Sequence, residues 1–384
     1  SWGLDGNNSI RSNAAVGLMS DAGYSLDGNT VSGYAPTTID NVDLGWEKTR
    51  SWNLGLDLGF LKNRITVALD IYRKLTDGML YEVTVPASMG LEDNRAWDNV
   101  GSIENKGVEL EISSRNLTGP LKWTTSFNIA YNKNEILSMG DNNTAIYGGW
   151  NNSNTHVFMV GEPMRSYYMY DAIGVYQTEE DLRRYATMEG QKVGDIRYRD
   201  VNGDGIINDS DRTLVGKARP DFTWGLTNKF NYKRFDLTVT LTGQWGGHLY
   251  SLLGRTIDRN SAGPGRGNLL AKWLHSWFSE EDPGDGITPS FLSTTTSDLY
   301  DTRWLYKSDF VKIKNVMLGY NIPINKKFAS KLRTYFSIQN LYTWDKYDGG
   351  FSPEASTYGS KKTGYDFGSY PMARVYTLGV NMEF

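Results

Sequence analysis

From Trp52 onward, apolar side chains occupy every second position: Trp52, Leu54, Leu56, Leu58 and Phe60 alternate with Asn53, Gly55, Asp57 and Gly59. A period of two sends successive side chains to opposite faces, so the stretch predicts a β-strand with one apolar and one polar face. The pattern returns at Ile65, Val67, Leu69 and Ile71; at Val108, Leu110 and Ile112; and at Trp123, Thr125, Phe127, Ile129 and Tyr131. Its cleanest copy sets Phe235, Leu237, Val239 and Leu241 against Asp236, Thr238, Thr240 and Thr242. Residues 332–341 and 376–384 repeat it. Around Asn315 the apolar parity shifts, from Val311 and Ile313 to Val316, Leu318 and Tyr320, as one extra residue in a bulged strand would produce. About ten strands follow from this reading, several of ten or more residues, against ~5–6 in ordinary sheets. Roughly 9–11 tilted residues cross a bilayer.

The connections alternate in length. Short ones fall at 61–64 (LKNR), near 116–122, at 232–234 (YKR) and at 323–331. Long ones are expected at about 77–103, 135–163, 177–220, 247–308 and 343–371. Tight turns at one rim and long loops at the other belong to outer-membrane barrels. Within the loops, TEEDLRRY from Thr178 predicts a capped helix of one or two turns bearing Leu182 and Tyr185. NLLAKWLHSWF puts Leu270, Trp273, Leu274 and Trp277 on one stripe behind Asn268, which predicts a short amphipathic helix packed on the base of its loop.

Bulk composition hides this architecture. With 39% hydrophobic residues, a net charge of −4 and a mean hydropathy of −0.49, the chain of 384 residues reads as an ordinary soluble protein. Lipid-facing residues in a barrel are diluted one for one by lumen-facing polar ones, so such averages cannot detect them. No apolar run is long enough for a helical span. The 24 Tyr, 12 Trp and 41 Gly against 11 Pro suit an aromatic-rich all-β chain, and the absence of Cys excludes disulfides and thiolate chemistry. No basic block points to nucleic acid. The first ten residues carry no secretory signal, so a leader was removed or the chain is a fragment.

Enzyme signatures are missing. His156, His248 and His275 stand outside any HExxH or triad spacing, and no GxSxG occurs. Glu109 and Glu111 alternate onto a polar strand face, where solvated charge is the expected outcome; Glu179 and Glu180 begin the short helix. GPGRG from Gly263 lacks the strand before it and the GKS or GKT ending of a phosphate cradle, and reads as a flexible loop.

The strongest chemical motif is DVNGDGIINDSD. Asp200, Asn202 and Asp204 offer side-chain oxygens at loop positions 1, 3 and 5, Gly205 permits the sharp turn, Ile206 offers its carbonyl, Asn208 the water-bridged position, and Asp211 closes the shell. That all-oxygen set suits Ca²⁺, though Asp at position 12 is shorter than the usual Glu. The competing reading is an Asx-rich turn without an ion. Either way the loop rigidifies a connection between strands. Candidate substrate contacts are Tyr147, Trp150 and Asn151 in one loop and Trp344, Tyr347 and Phe351 in another, because aromatic faces stack on ligands while amides bond hydroxyls. Interfacial girdle aromatics would have the same composition.

Several segments together resemble one family. VDLGWEKTRSWNLGLDLGFLKNRITVALDIYRK, NVGSIENKGVELEI, VGDIRYRDVNGDGIINDSDRTLVGKARPDFTWGL, SDFVKIKNVMLGYNIP and the closing YPMARVYTLGVNMEF are similar to the C-terminal part of SusC/RagA-type TonB-dependent outer-membrane transporters. The resemblance spans nearly the whole chain, in the family's order. It implies an antiparallel transmembrane β-barrel, of which residues 1–384 form the C-terminal portion of a 22-stranded wall, with the plug domain and TonB box outside this chain. It further implies import of oligosaccharides, and in some members peptides, energised through TonB, with a SusD-like surface lipoprotein as lid, in the outer membrane of a Bacteroidetes-type Gram-negative cell. The alternative from the residues alone is a secreted, calcium-stabilised all-β carbohydrate-binding or adhesion protein, whose apolar rows would face a second sheet.

Overall fold

The computed structural model describes residues 1–7, 14–91, 94–140, 142–149, 153–259, 269–293, 295–324, 329–355 and 363–384. Ten strands form one antiparallel sheet whose spatial order is their chain order: β1 (Trp2–Asn7), β2 (Glu47–Phe60), β3 (Ile65–Asp77), β4 (Gly101–Thr118), β5 (Leu121–Met139), β6 (Phe222–Tyr232), β7 (Phe235–Trp245), β8 (Phe310–Ile322), β9 (Lys331–Asp345) and β10 (Val375–Glu383).

Register aligns the period-2 pattern across strands. The row Leu56, Leu69, Leu110, Ile129 crosses four neighbours, and the row Leu237, Leu318, Phe336, Leu378 crosses four more. One face of the wall is therefore a predominantly apolar band, broken by Thr125 and Asn228, which bond each other across β5 and β6. Leu54 is 66% exposed, Leu318 49% and Leu378 79%, while Leu237, Val239 and Leu241 are half-buried by their row neighbours and belong to none of the described buried cores. No second sheet covers them among the described residues, which removes the packing that a secreted sandwich requires. The parity shift near Asn315 is a bulge: Ile313 pairs with Tyr342 and Asn315 with Gln339.

The opposite face is polar and close-packed. Gly107 lies under the ring of Tyr72, so close that a Cβ would stand 2.6 Å from the phenol oxygen. Asn132 Nδ2 donates to that same oxygen at 2.7 Å. Any side chain at 107 would push the ring away and break that bond.

Short turns join β2 to β3, β4 to β5, β6 to β7 and β8 to β9; long excursions leave the other rim at 8–46, 78–100, 140–221, 246–309 and 346–374. The stretches expected as separate loops at 135–163 and 177–220 belong to a single excursion. Its internal strands pair among themselves and not with the wall: Ser166–Met169 with His156–Phe158 and Thr213–Lys217, and Ala172–Val175 with Ile196–Tyr198. Period 2 identifies a strand without saying which sheet receives it. Strand β1 and the hairpin of Leu18–Leu26 with Asn29–Thr38 were not predicted, because their Gly and Ser positions interrupt the alternation.

Two loop helices were expected. Helix α1 (Glu179–Arg184) is present with Thr178 as cap: its hydroxyl accepts from Asp181 N at 3.2 Å, and the Asp181 carboxylate accepts from Thr178 N in return. The second expectation is corrected. Residues Ala271–His275 form one 3₁₀ turn, Leu274 is 85% exposed, and the two tryptophans diverge: Trp273 Nε1 donates to Asp258 at 2.9 Å and Trp277 Nε1 to the Gln177 carbonyl at 3.1 Å. Two separate polar anchors override a single apolar stripe. Asn268 and the GPGRG segment lie outside the described residues.

The two faces give opposite responses to charge. Leu318→Arg should destabilise the bilayer-inserted fold by about 2–4 kcal/mol, whereas Thr238→Arg, on the polar face, should cost under about 1 kcal/mol. Denaturant titration of vesicle-reconstituted protein measures both, and equal costs would refute the assignment of faces.

Candidate functional site

Strands β4 and β5 have 18 and 19 residues, about eight more than a bilayer crossing uses. Their surplus rises above the band as a stalk. On its polar side Ile103 and Ile136 face each other and are covered by Phe158 and Met164 from the 140–221 excursion, with Met79 and Val100 from the preceding loop. The loops thus fold over the polar face, which makes it the lumen side. Below them, Asn53, Asp70, Tyr72, Lys74, Glu109 and Asn132 line a cavity of about 690 Å³ on the wall. Asp70 and Glu109 sit directly opposite in register, as the solvated carboxylates expected of Glu109 and Glu111.

Three excursions share one core over the mouth. Tyr167, Met169 and Ala218 come from 140–221, Tyr250, Leu252 and Trp304 from 246–309, and Tyr365 from 346–374. Its Tyr167 and Tyr365 hydroxyls are bonded, whereas the Tyr250 hydroxyl and Trp304 Nε1 are buried without a hydrogen-bond partner among the described residues. The Tyr365 hydroxyl lies 2.8 Å from His156 Nδ1, and Tyr347 donates to Asp366 at 2.6 Å. Burial, and then the nearby Arg165 charge, hold the His156 pKa down at about 3, so its imidazole is neutral at neutral pH and acts as a packing group. Lys312, on the lumen face of β8, pairs with Glu354 of the last excursion and moors the cap to the wall.

A buried charge knot joins two excursions. Asp301 is fully buried; Arg303 donates to it through Nε at 3.0 Å and Nη2 at 2.7 Å, and Tyr198 from the neighbouring excursion donates at 2.8 Å. Arg303 Nη2 also donates to the Thr296 carbonyl at 3.0 Å. A charge pair this enclosed holds because the guanidinium is bidentate and the carboxylate also accepts from Tyr198 and the Arg303 backbone.

The Asp200–Asp211 loop is built as a ladder of side chain to backbone bonds. Asp200 accepts from Gly203 N at 2.7 Å and Gly205 N at 3.0 Å, Asn202 from Asp204 N at 3.0 Å, and Asp204 from Ile206 N at 2.8 Å. Gly205 takes φ +82°, as the turn at position 6 demands. Asp211 is fully buried and accepts from Val201 N at 2.9 Å and Asn208 N at 2.8 Å, so it closes the loop on itself. Asn208 caps the short 3₁₀ turn that follows. Among the described residues no three acidic or imidazole side chains are gathered into a metal cluster, so any ion here would use amide and carbonyl oxygens beside one or two carboxylates.

The six aromatic and amide candidates scatter. Trp150 and Asn151 lie outside the described residues. Trp344 pairs opposite Val311 on the apolar face, edge-on to Tyr342 at 4.8 Å, in a girdle position. Tyr347 is buried against Asp366 inside the cap. Tyr147, 5.4 Å from Tyr168, and Phe351 remain exposed.

A further cavity of about 620 Å³ was not anticipated. It opens between two excursions, with Asp171, Arg199 and Asp200 on one side and His248, Thr302 and Lys307 on the other. Arg199 pairs with Asp171 at 2.9 Å, and His248 Nδ1 is buried without a partner among the described residues. Residues over a hundred positions apart in sequence meet here, so no local spacing could have announced it. Only Asp200, already singled out by the oxygen-rich loop, pointed to the region.

Comparison with known proteins fits this geometry. The family described as "TonB dependent receptor-like, beta-barrel" matches residues 1–341. TonB-dependent receptor P3 of Formosa agariphila is 31% identical over 401 aligned residues, covering 100% of this chain and 39% of that protein. TonB-dependent receptor SusC of Bacteroides thetaiotaomicron is 29% identical over 90% of this chain and 32% of its own length. The chain thus spans about two fifths or less of the curated relatives it matches. Among solved structures, the RagAB peptide transporter superposes on the whole chain with a TM-score of 0.80 at 24% identity, using 40% of the matched chain, a likeness of fold.

Removing the knot's acceptor should loosen the cap. Asp301→Asn should leave Arg303 underpaired and cost about 3–5 kcal/mol of loop stability. Amide exchange across 196–217 and 296–305 should quicken while β6 and β7 stay protected; unchanged exchange would rule the knot out as a brace.

Proposed function

The chain belongs to the TonB-dependent receptor-like β-barrel family, and from that premise we propose that it forms wall and extracellular cap of an outer-membrane importer of SusC/RagA type for bulky nutrients. The observation that carries this reading is the two-faced wall. An apolar band runs across ten strands, and three excursions close over the polar side alone. A lipid-facing exterior and a roofed aqueous interior are what passage of a polar solute requires, and no bond need be broken in the barrel.

The cargo class is oligosaccharide, or peptide as in the RagAB relative, and the energy arrives through TonB. A SusD-like lipoprotein would seat on the cap. Tyr147 and Phe351, exposed on two of the excursions, are the ligand contacts in this reading, together with the mixed-charge cavity around Arg199 and Lys307. Deletion of the gene should abolish growth on one glycan or peptide class while growth on the free monomers continues, and the full-length receptor should co-purify with a surface lipoprotein. Unimpaired growth across both panels, with no lipoprotein retained, would sink the proposal.

A second element concerns the Asp200–Asp211 loop, which we propose holds Ca²⁺ as a structural ion. The bonds from Gly203 and Gly205 occupy one lone pair on each Asp200 oxygen and leave the others available, with Asn202, Asp204 and the Ile206 carbonyl on the same turn. Chelation should increase protease cutting within 196–217 severalfold in the wild type and leave Asp204→Ala, already loosened, unaffected. If calcium and chelator give the same cleavage pattern in the wild type, the loop works as a bare Asx turn.

A further inference from the structure

The two ends of the wall treat positive charge differently. At the extracellular end Arg50, Arg73, Lys106 and Lys133 pair with Asp77, Glu104 and Glu135, and the exposed Lys48 and Lys74 stand outside the described ion pairs. At the short-turn end, Lys62 and Arg64 lie on the first turn, Arg115 and Lys122 flank the second, and Lys233 and Arg234 form the third; all six are exposed. The ion pairs described at that end are Lys331 with Glu383 and Arg333 with Asp236, which engage none of the six.

These cations stand beside an aromatic collar. Phe60, Trp123, Phe230, Tyr232, Phe235 and Tyr320 end the apolar rows at this rim, with Trp123 stacked on Phe230 at 5.5 Å and Phe235 tilted against Tyr320 at 4.7 Å. The Lys233 ammonium lies over the Tyr232 ring, 5.3 Å from its centroid, so this exposed charge rests on the collar itself. Arg64 reaches sideways, donating from Nε to the Arg115 carbonyl at 2.7 Å and from Nη2 to the Asn116 carbonyl at 2.6 Å. Those bonds hold a guanidinium between two hairpins with donors to spare. Aromatic rings mark where hydrocarbon meets headgroup, and unneutralised cations just beyond them meet phosphate.

We propose that the periplasmic rim of this wall is a binding surface for anionic phospholipid headgroups of the inner leaflet, with Lys62, Lys233 and Arg234 as principal phosphate contacts and Arg64 as a fixed bridge between hairpins. The occupant is lipid and not a soluble acidic protein because the charges continue the lipid-facing collar without a gap. The surface orients the barrel vertically, because most cations on the extracellular strand ends are held in ion pairs among the described residues while the six at this rim are not.

The test uses the full-length receptor in vesicles of phosphatidylethanolamine containing a minor fraction of phosphatidylglycerol. Lipid retained after mild detergent extraction is then identified by native mass spectrometry. The wild type should retain phosphatidylglycerol at least tenfold over its share of the bilayer, falling as salt rises. Lys62→Gln/Lys233→Gln/Arg234→Gln should bring retention close to parity, at about fivefold per neutralised charge. Lys62→Arg/Lys233→Arg should keep it. Arg64 is left intact because its carbonyl bonds serve the fold, and heat-modifiable gel mobility verifies that each variant is folded. Parity in the wild type, or enrichment that survives the triple substitution, overturns the proposal; so does crosslinking of Lys233 to an acidic periplasmic protein with no lipid preference. None of these readouts depends on which nutrient is carried.

Discussion

A strand in hydrocarbon has no water to satisfy its N–H and C=O groups, and each one left unpaired costs several kcal/mol. That demand organises this chain. Strand follows strand in order from β1 to β10 because a hairpin is the shortest way to give each new edge a partner. Once the ladder fixes register, alternation within each strand becomes a band across all of them, and a sequence of average polarity acquires a face that is not average. The same register brings Tyr72 over Gly107 on the wet face, so some of the glycine and aromatic content follows from the pairing and not from any ligand.

The wall was legible in the sequence because lipid and lumen impose a binary choice at each position. Even the bulge near Asn315 was visible as a change of parity. Legibility ended where that choice ended. Loop strands obey the same period in a mixed environment, so the wall and the 140–221 excursion could not be told apart locally. The strand Trp2–Asn7 was hidden by its glycines. The stripe of Leu270, Trp273, Leu274 and Trp277 looked helical, yet its outcome was set by Asp258 and the Gln177 carbonyl, which no window around residue 273 contains.

Site residues divide in the same way. The Asp200–Asp211 motif could be read because its bonds are local, each donor lying within a few positions of its acceptor, apart from Asp211, which reaches back to Val201. Tyr347 and Trp344 were chosen for composition, and the structure separates them: one is buried in the cap, the other stands on the outer face. The cavity around Arg199 and Lys307 joins two excursions, and of its lining Asp200 alone lay in a motif the sequence made visible. Spacing detects chemistry that one turn can assemble, and not chemistry that topology assembles.

The shared core of Tyr167, Tyr250, Trp304 and Tyr365 draws on three excursions that enter and leave the wall at different staves. No one of them can lift away without stripping apolar cover from the other two, and the Tyr198 to Asp301 bond adds a polar tether to the same effect. The roof therefore has few independent hinges: a solute that disturbs one excursion spends its binding energy on the whole canopy, and the gate responds as a cooperative plate and not as separate fingers.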